Sequence, residues 1–300
     1  IWSYFKCILE DQSIKVISLF LLKSLSILPL KVLYFISRIL SFLLIKVIKY
    51  RTQVVDKNLT ITRRFFKSHD LLNVKHRFYK YFVDLYMEVI KMNSVNKNFF
   101  IKNFKVNNIK DLNDFYDQGK SVMLMLSHYS GYEWCISLPY YLKHDVAAVY
   151  SPLKNKPVNN FIVKSREKHG ISLFSRYTAF REIFKKEKQG KPTLYGLVAD
   201  QSPQLSSKNL FWTKFLDQKV PVFTGPEVIA KKYKMPVVYG EMKRLERGSY
   251  IINFKLISLD ASKEKEHVIT KKYLRLIEEQ IKKDPSLYLW THNRFKHAKN

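Results

Sequence analysis

The feature that most constrains the fold is an alternation, beginning near residue 122, of short apolar runs with longer stretches of mixed polarity. The apolar runs have the length and the continuous hydrophobicity of buried strands. They cover residues 122–126, 146–150, 171–174, 193–198 and 236–239. Helices are predicted between them, near 132–143, 157–169, 178–189 and 223–234. Because such alternation is typical of strands joined by helical crossovers, it predicts an α/β fold with a mostly parallel central sheet flanked by helices.

Three further segments complete the predicted α/β domain. The spacing of apolar residues between Asp70 and Met92 predicts a long helix. The sequence Arg247-Gly248-Ser249 predicts a hairpin turn between strands at 237–243 and 250–256. A last helix, about 263–283, is expected to end before Asp284-Pro285 because proline disfavours helix in the residue before it.

The N-terminal segment has a different texture. Residues 12–55 contain no Asp or Glu, while basic residues interrupt runs of Leu, Ile, Val and Phe. Pro29 is expected to divide the segment into two helices. On the second helix, Lys31, Arg38, Lys46 and Lys49 fall within roughly 80° of one another, and Lys15 and Lys23 lie similarly close on the first.

A largely apolar helix with a thin basic stripe is typical of a segment at a membrane surface, where the long basic side chains extend toward lipid phosphates. A tilted span and a hairpin packed on the domain with its lysines in solvent remain the alternatives. No cleavable signal peptide is expected. The chain is therefore divided into a membrane-associated helical segment, residues 1–55, and an α/β domain, residues 56–300.

The composition points to an anionic partner but does not identify it. The 300 residues include 53 Lys and Arg against 25 Asp and Glu, a net charge of +28. Nucleic acid, anionic lipid and an acidic carrier protein would all be attracted by this charge. Cys7 and Cys135 are far apart and belong to no disulfide or zinc pattern, so no metal is predicted.

Polar residues follow two of the predicted strands directly. Ser127-His128 comes after the strand at 122–126, and Asp200-Gln201 comes after the strand at 193–198. Ligands of α/β sheets bind beyond the carboxyl ends of strands, which makes both positions candidates. His128 and Glu133 can meet if the chain turns at Gly131. We then expect Glu133 to accept the Nδ1 proton of His128, leaving Nε2 free to act as a base.

His128 and Glu133 form an HX4E motif, which resembles the first motif of the lysophospholipid acyltransferase-like superfamily. Within it, the chain resembles the late (secondary) acyltransferases of lipid A biosynthesis. The resemblance extends through four further blocks and covers nearly the whole chain. These blocks are Val149–Asn155 with Arg166 and Gly170, Ala199–Gln201, Phe223–Pro226, and Leu289–Lys296 with its Trp-x-His-x-Arg-Phe-Lys order. Lys156 and Asn293 depart from the family pattern.

The resemblance implies a membrane-bound enzyme that transfers an acyl chain from a thioester, carried by acyl carrier protein, to a hydroxyl of a lipid A precursor. It implies no cofactor, and a place on the cytoplasmic face of a bacterial inner membrane. The catalytic pair would be His128 and Glu133, with oxyanion donors among the backbone N–H groups near Ser130–Tyr132. The residues expected to bind substrate are Arg166, Asn155, Asp200, Gln201 and Arg294.

Other interpretations stay open at this point. A coenzyme A donor, or an acceptor such as a lysophospholipid or an amino-acid-containing lipid, would suit the same motifs. Asp200-Gln201 could form a turn or cap, Arg166 could lie on a solvated helix face, and Arg294 with His292 could form a structural network around Trp290. A nucleic-acid-binding protein is disfavoured because the basic residues are dispersed and no binding module is recognisable. A non-catalytic membrane scaffold would not need the ordered polar blocks.

Overall fold

A seven-stranded, mostly parallel sheet organises the chain. The computed structural model describes residues 12–66, 70–206 and 210–299, with side chains from residue 19 onward. The strands of the large sheet are β1 (Phe104–Val106), β2 (Val122–Leu126), β3 (Asp145–Tyr150), β4 (Ile171–Ser175), β5 (Thr193–Val198), β8 (Val237–Glu246) and β9 (Ser249–Ser258); a separate antiparallel pair consists of β6 (Leu210–Phe215) and β7 (Gln218–Phe223). The order in the large sheet is β1-β9-β8-β2-β5-β3-β4, and β8 and β9 form its antiparallel pair. The predicted α/β class is confirmed.

Helices cover both faces of the sheet. They are α1 (Gln12–Ile27), α2 (Leu30–Lys46), α3 (Thr52–Ile61), α4 (Leu71–Met92), α5 (Lys97–Asn103), α6 (Ile109–Asp117), α7 (Lys156–Glu167), α8 (Ala179–Lys188), α9 (Gly225–Lys232) and α10 (Val268–Lys283). Short 3-10 helices lie at Arg63–Phe66, Tyr132–Tyr140, Ala261–Lys263 and Pro285–Leu287. The helix predicted near 132–143 is thus a 3-10 helix, whereas the other helices predicted after residue 70 are α-helices within a few residues of their expected bounds.

The side chains of successive strand residues pack on opposite faces of the sheet, as the two-residue period of a strand requires. Met123 and Met125 belong to one apolar cluster, while Val122, Leu124 and Leu126 belong to the other. A continuous apolar run can therefore form β2 because both of its faces are buried.

The predicted N-terminal pair of helices is present, with Pro29 between α1 and α2. The helix α2 packs on α4, and α1 contacts both α4 and α7. The boundary predicted after residue 55 falls inside α3. Cys7 and the rest of residues 1–11, as well as the side chain of Lys15, lie outside the described residues.

The outer face of α2 is both apolar and basic. Phe35, Ile39 and Phe42 are exposed there, together with Lys31 and Arg38. Lys46 is also exposed, but Lys49 lies beyond the helix end at a φ of 50°, so the prediction that it extends the basic stripe is wrong. Within the described part of the chain, no helix is both long enough and apolar enough to cross a membrane.

Buried polar contacts join α2 to the rest of the domain. Glu88 on α4 accepts hydrogen bonds from the Tyr34 hydroxyl of α2 at 2.8 Å, from Trp134 Nε1 at 2.9 Å and from the Tyr250 hydroxyl at 2.9 Å. Burial raises the pKa of Glu88, although these three donors act in the opposite direction. Because a buried carboxyl group is costly without partners, removing the Tyr34 hydroxyl should weaken the packing of α2 on α4.

Candidate active site

His128 and Asp200 meet because their strands are neighbours in the sheet. The strands β2 and β5 are parallel, with Leu126 opposite Val198, and each candidate follows its strand end by two residues. His128 Nδ1 lies 2.6 Å from Asp200 Oδ1, and the His128 backbone N–H donates to Asp200 Oδ2 at 3.0 Å. The structure therefore brings together two residues that are 72 positions apart in the chain.

Asp200 lies beneath the histidine rather than in the open part of the site. Its side chain is 1% exposed, whereas that of His128 is 17% exposed. Burial acts to raise the pKa of Asp200, but its interaction with His128 and the hydrogen bonds from that residue outweigh burial, so the pKa lies below its ordinary value. An ionised Asp200 favours the tautomer in which Nδ1 carries the proton and Nε2 is free.

Glu133 has a different partner. Both of its carboxylate oxygens accept from Nη2 of Arg166, at 2.9 and 2.7 Å. The prediction that Glu133 accepts the Nδ1 proton of His128 is therefore wrong in this structure, since Asp200 occupies that position. The 3-10 helix beginning at Tyr132 carries Glu133 toward the last turn of α7, where Arg166 lies. Glu133 raises the pKa of Arg166, as expected for a cation beside a carboxylate.

The turn between His128 and Glu133 also differs in detail from the prediction. Ser130 has the positive φ, 54°, while Gly131 has a φ of −78°. Glycine is nevertheless required at position 131, because a Cβ there would lie 2.6 Å from the ring of Tyr250. The need for glycine comes from close packing rather than from backbone conformation.

Two of the predicted oxyanion donors are already engaged. The Ser130 N–H donates to the Leu287 carbonyl oxygen at 2.9 Å, and the Tyr132 N–H donates to the Ser130 carbonyl oxygen at 3.0 Å. Among the described residues, the Gly131 N–H has no such partner. The predicted set of donors is thereby narrowed to Gly131.

A cleft of about 830 Å³ opens beside the histidine. Four of the predicted residues line it together: His128, Glu133, Arg166 and Gln201. Gln201 Nε2 lies 3.2 Å from His128 Nε2, so a hydrogen-bonding group already occupies the position next to the free nitrogen. The other lining is largely apolar and extends along the sheet beneath the 3-10 helix, past Leu124, Ile136, Leu138, Val146, Ile171 and Leu194.

Asn155 and Arg294 do not line the cleft. Asn155 begins α7, and its side chain accepts from the Val158 N–H at 3.2 Å, which is a helix cap. Arg294 is 1% exposed, donates to the Pro221 carbonyl oxygen at 3.2 Å and lies over the ring of Phe215. Their predicted contact with substrate stays a prediction that this geometry does not support.

The C-terminal block instead supports the loops that carry His128 and Gln201. The Leu289 N–H donates to the His128 carbonyl oxygen at 3.0 Å, and Tyr288 pairs with Tyr129 in an antiparallel bridge. His292 Nε2 accepts from the Ser202 N–H at 2.9 Å. Burial lowers the pKa of His292 to about 4, so its ring is neutral at pH 7 and can accept this hydrogen bond. A structural role for His292 and Arg294 was one of the alternatives left open by the sequence, whereas the contacts with the loops of His128 and Ser202 were not predicted.

The described residues contain no group of three or more His, Cys, Asp or Glu arranged to hold a metal ion. The candidate site therefore consists of one histidine with two flanking polar partners, one carboxylate–guanidinium pair and an apolar channel. A histidine held at Nδ1, with its Nε2 facing the cleft, is suited to taking a proton from a hydroxyl group that takes the place of the Gln201 amide.

A family model of bacterial lipid A biosynthesis acyltransferases matches residues 9–297, nearly the whole chain. The chain belongs to this family. The predictions of family membership and of acyltransferase activity are confirmed, and the alternative of a nucleic-acid-binding protein is disfavoured further. No curated protein was found to match the chain. The family places the enzyme in lipid A-type biosynthesis, with an acyl donor and a lipid acceptor.

Proposed function

We propose that this acyltransferase moves a fatty acyl chain from the thioester of acyl carrier protein to a hydroxyl of a lipid A precursor, with His128 as general base. One observation carries the proposal: His128 is fixed at Nδ1 by Asp200 at 2.6 Å, while Nε2 faces a cleft that also holds Gln201 and the Glu133–Arg166 pair. This replaces the predicted His128–Glu133 pair with a His128–Asp200 pair as the proton-handling unit.

The chemistry follows from that arrangement. His128 Nε2 takes the proton of the acceptor hydroxyl while the hydroxyl oxygen attacks the carbonyl carbon of the thioester. The ionised Asp200 stabilises the imidazolium that forms, and the Gly131 N–H is our proposed donor to the oxyanion. Collapse of the tetrahedral intermediate breaks the C–S bond, and the imidazolium returns the proton to the leaving thiolate. The acceptor hydroxyl is proposed to bind where the Gln201 amide lies in this structure, 3.2 Å from His128 Nε2.

The Glu133–Arg166 pair is proposed to shape the polar wall of the cleft. Their side chains are 14% and 19% exposed, so both are largely desolvated yet still in reach of a substrate. A carboxylate held by a guanidinium keeps its charge compensated, which prevents an unpaired negative charge beside the developing oxyanion. In this role Glu133 acts through Arg166 and not through His128.

The acyl chain is proposed to lie in the apolar part of the cleft beneath the 3-10 helix. An acyl chain that lies among aliphatic side chains is removed from water, and this burial stabilises binding by roughly 25 cal/mol for each Å² of apolar surface. The predominantly apolar lining of this part of the cleft is suited to a hydrocarbon chain.

The rim of the cleft at the end of β4 supports the choice of an acidic carrier protein as donor. Arg176, Tyr177 and Phe180 line the cleft there, and Tyr177 and Phe180 are exposed on the outside. Lys185 and Lys188 follow on the exposed side of α8. A basic surface with exposed aromatic rings is suited to docking an acidic protein.

Membrane association is likewise proposed, at the cytoplasmic face of the bacterial inner membrane. The exposed Phe35, Ile39 and Phe42 of α2, interspersed with Lys31 and Arg38, support a surface that contacts lipid. The vesicle assay described in the next subsection measures this contact, since binding to uncharged vesicles reports the apolar face.

The function is tested with purified protein, a lipid A precursor and either acyl carrier protein or coenzyme A thioesters, with products identified by mass spectrometry. We expect acylation of a precursor hydroxyl, preferentially from the carrier protein, and a loss of about 10³-fold or more in His128→Ala. Lys102→Ala, an exposed change on α5, is the control. Unchanged transfer by His128→Ala would refute the mechanism, and acylation of a lysophospholipid alone would refute the proposed acceptor.

A further inference from the structure

A second pocket, of about 630 Å³, lies between α2, α4, the turn joining β8 and β9, and the 3-10 helix Pro285–Leu287. Its lining is dominated by charged groups and hydroxyls. The cations are Arg38, Arg77, Lys80, Arg244 and Arg247; the carboxylates are Asp84, Glu246 and Asp284; the hydroxyls are Ser37, Ser41, Tyr81 and Ser286. Five cations against three carboxylates leave a surplus of two positive charges.

Asp84 is the best compensated of the three acids. It is buried, and it accepts from Arg247 Nε at 2.8 Å, from Arg244 Nη2 at 3.3 Å and from the Ser37 hydroxyl. Arg77 is paired with Asp284 at 2.6 Å. These contacts hold the pocket together, so they account for its shape and not for its surplus charge.

Arg38 and Lys80 are the two cations of the lining without an ion pair among the described residues, and both are exposed at the mouth of the pocket. Glu246 also has no ion pair there, and its charge is offset by the second arginine on Asp84. In addition, Nε of Arg244 is buried without a hydrogen-bond partner. A buried N–H donor without an acceptor costs free energy, and an anion bound beside it would remove that cost.

The position of the pocket indicates the kind of molecule that carries the anion. Arg38 lies on α2 between the exposed side chains of Phe35, Ile39 and Phe42. An anion bound by Arg38 and Lys80 would therefore have an apolar surface directly beside it. A ligand with an anionic head and hydrocarbon chains fits this arrangement, whereas a free ion would leave the apolar face uncovered.

We propose that this pocket binds the phosphate monoester of a lipid, with the lipid chains along the outer face of α2. A phosphate monoester carries about −1.5 to −2 charges near neutral pH, which matches the surplus of two. Guanidinium groups, an ammonium group and serine hydroxyls are the donors that phosphate oxygens accept from. The binding site is distinct from the cleft of His128 and does not depend on the acyl-transfer reaction.

The pocket shares a wall with the loop that carries His128. The Tyr81 hydroxyl, which lines the pocket, donates to the Ser130 carbonyl oxygen, and the Leu287 carbonyl oxygen accepts from the Ser130 N–H. A lipid held here would therefore fix the protein at the membrane with this loop close to the lipid surface.

The test compares Arg38→Gln/Lys80→Gln with Lys102→Gln/Arg275→Gln. Both double variants remove two positive charges from exposed positions, but Lys102 and Arg275 do not line the pocket. The probes are phosphatidylcholine vesicles with and without one-tenth phosphatidic acid, a monoester lipid, and inorganic phosphate as competitor. Thermal melting of each variant verifies folding.

We expect the pocket variant to lose about tenfold or more of its affinity for the phosphatidic acid vesicles, and the control variant to lose far less. Binding of the pocket variant to uncharged vesicles should be unchanged. Equal losses in both double variants would refute the site, since only general electrostatic attraction would then be present. In another outcome, inorganic phosphate would raise the melting temperature of the unmodified protein and not that of the pocket variant, while both bind the phosphatidic acid vesicles equally. That result would refute a lipid as the source of the phosphate.

Discussion

Two pairs at the cleft each join a carboxylate to a nitrogen-containing side chain, but they do so under different conditions. In the first pair Asp200, 1% exposed, holds His128 Nδ1 at 2.6 Å. In the second pair Glu133, 14% exposed, accepts with both of its oxygens from Arg166. The first pair contains an imidazole, which can act as a general base, while the second contains a guanidinium, which cannot. The acid that holds His128 is therefore the residue that follows the neighbouring strand, and not the acid five positions along the chain.

The largest loss of activity is expected for the His128–Asp200 pair. In Asp200→Asn the amide cannot stabilise an imidazolium and can present an N–H to Nδ1, which favours the wrong tautomer. We expect kcat to fall about 10²–10⁴-fold with the protein still folded. Steady-state kinetics and a thermal melt of the same preparation measure this. A wild-type kcat in Asp200→Asn would remove Asp200 from the mechanism.

A smaller loss of activity is expected for the Glu133–Arg166 pair. Arg166→Gln leaves the carboxylate of Glu133 without its counter-charge in a largely desolvated position, so kcat/KM should fall about 10–100-fold. The double variant Glu133→Gln/Arg166→Gln removes both charges and should recover part of that loss. Arg181→Gln, which breaks an exposed pair with Glu182, is the matched control and should change little.

This double variant separates a positioning role from a catalytic role for Glu133. Partial recovery is expected if Glu133 acts only through Arg166, because no unpaired charge then remains. If the double variant were instead as inactive as His128→Ala, Glu133 would be needed for the chemistry itself.

Much of the scaffold could be predicted from local sequence. The strands β2 and β5 were expected at the positions they occupy, because an uninterrupted apolar run five or six residues long is typical of a buried strand. Pro29 between α1 and α2 and the turn before Ser249 were also visible, since proline and glycine act locally on the backbone.

The hairpin of β6 and β7 was not predicted. Its turn residues, Leu216 and Asp217, have φ values of 49° and 61°. Two-residue turns of this kind usually show Asn-Gly or Asp-Gly, and Leu-Asp gives no such signal. Burial of Phe215 and of the turn residue Leu216 in the core, rather than local preference, accounts for the conformation.

The partner of His128 could not be predicted for a related reason. The sequence shows polar residues after both β2 and β5, but it does not show that these two strands are neighbours. Once they are paired with Leu126 opposite Val198, His128 and Asp200 have the same offset and must lie together. Parallel pairing is non-local, and a five-residue spacing is easier to see than a contact across 72 positions.

The most direct test of this central contact is the Nδ1–H proton of His128, observed by NMR in protein with ¹⁵N-labelled histidine and assigned through His128→Gln. We expect a proton resonance shifted by the short hydrogen bond to Asp200, which is lost or moved in Asp200→Asn and retained in Glu133→Gln. A resonance that is lost in Glu133→Gln and unchanged in Asp200→Asn would contradict this expectation.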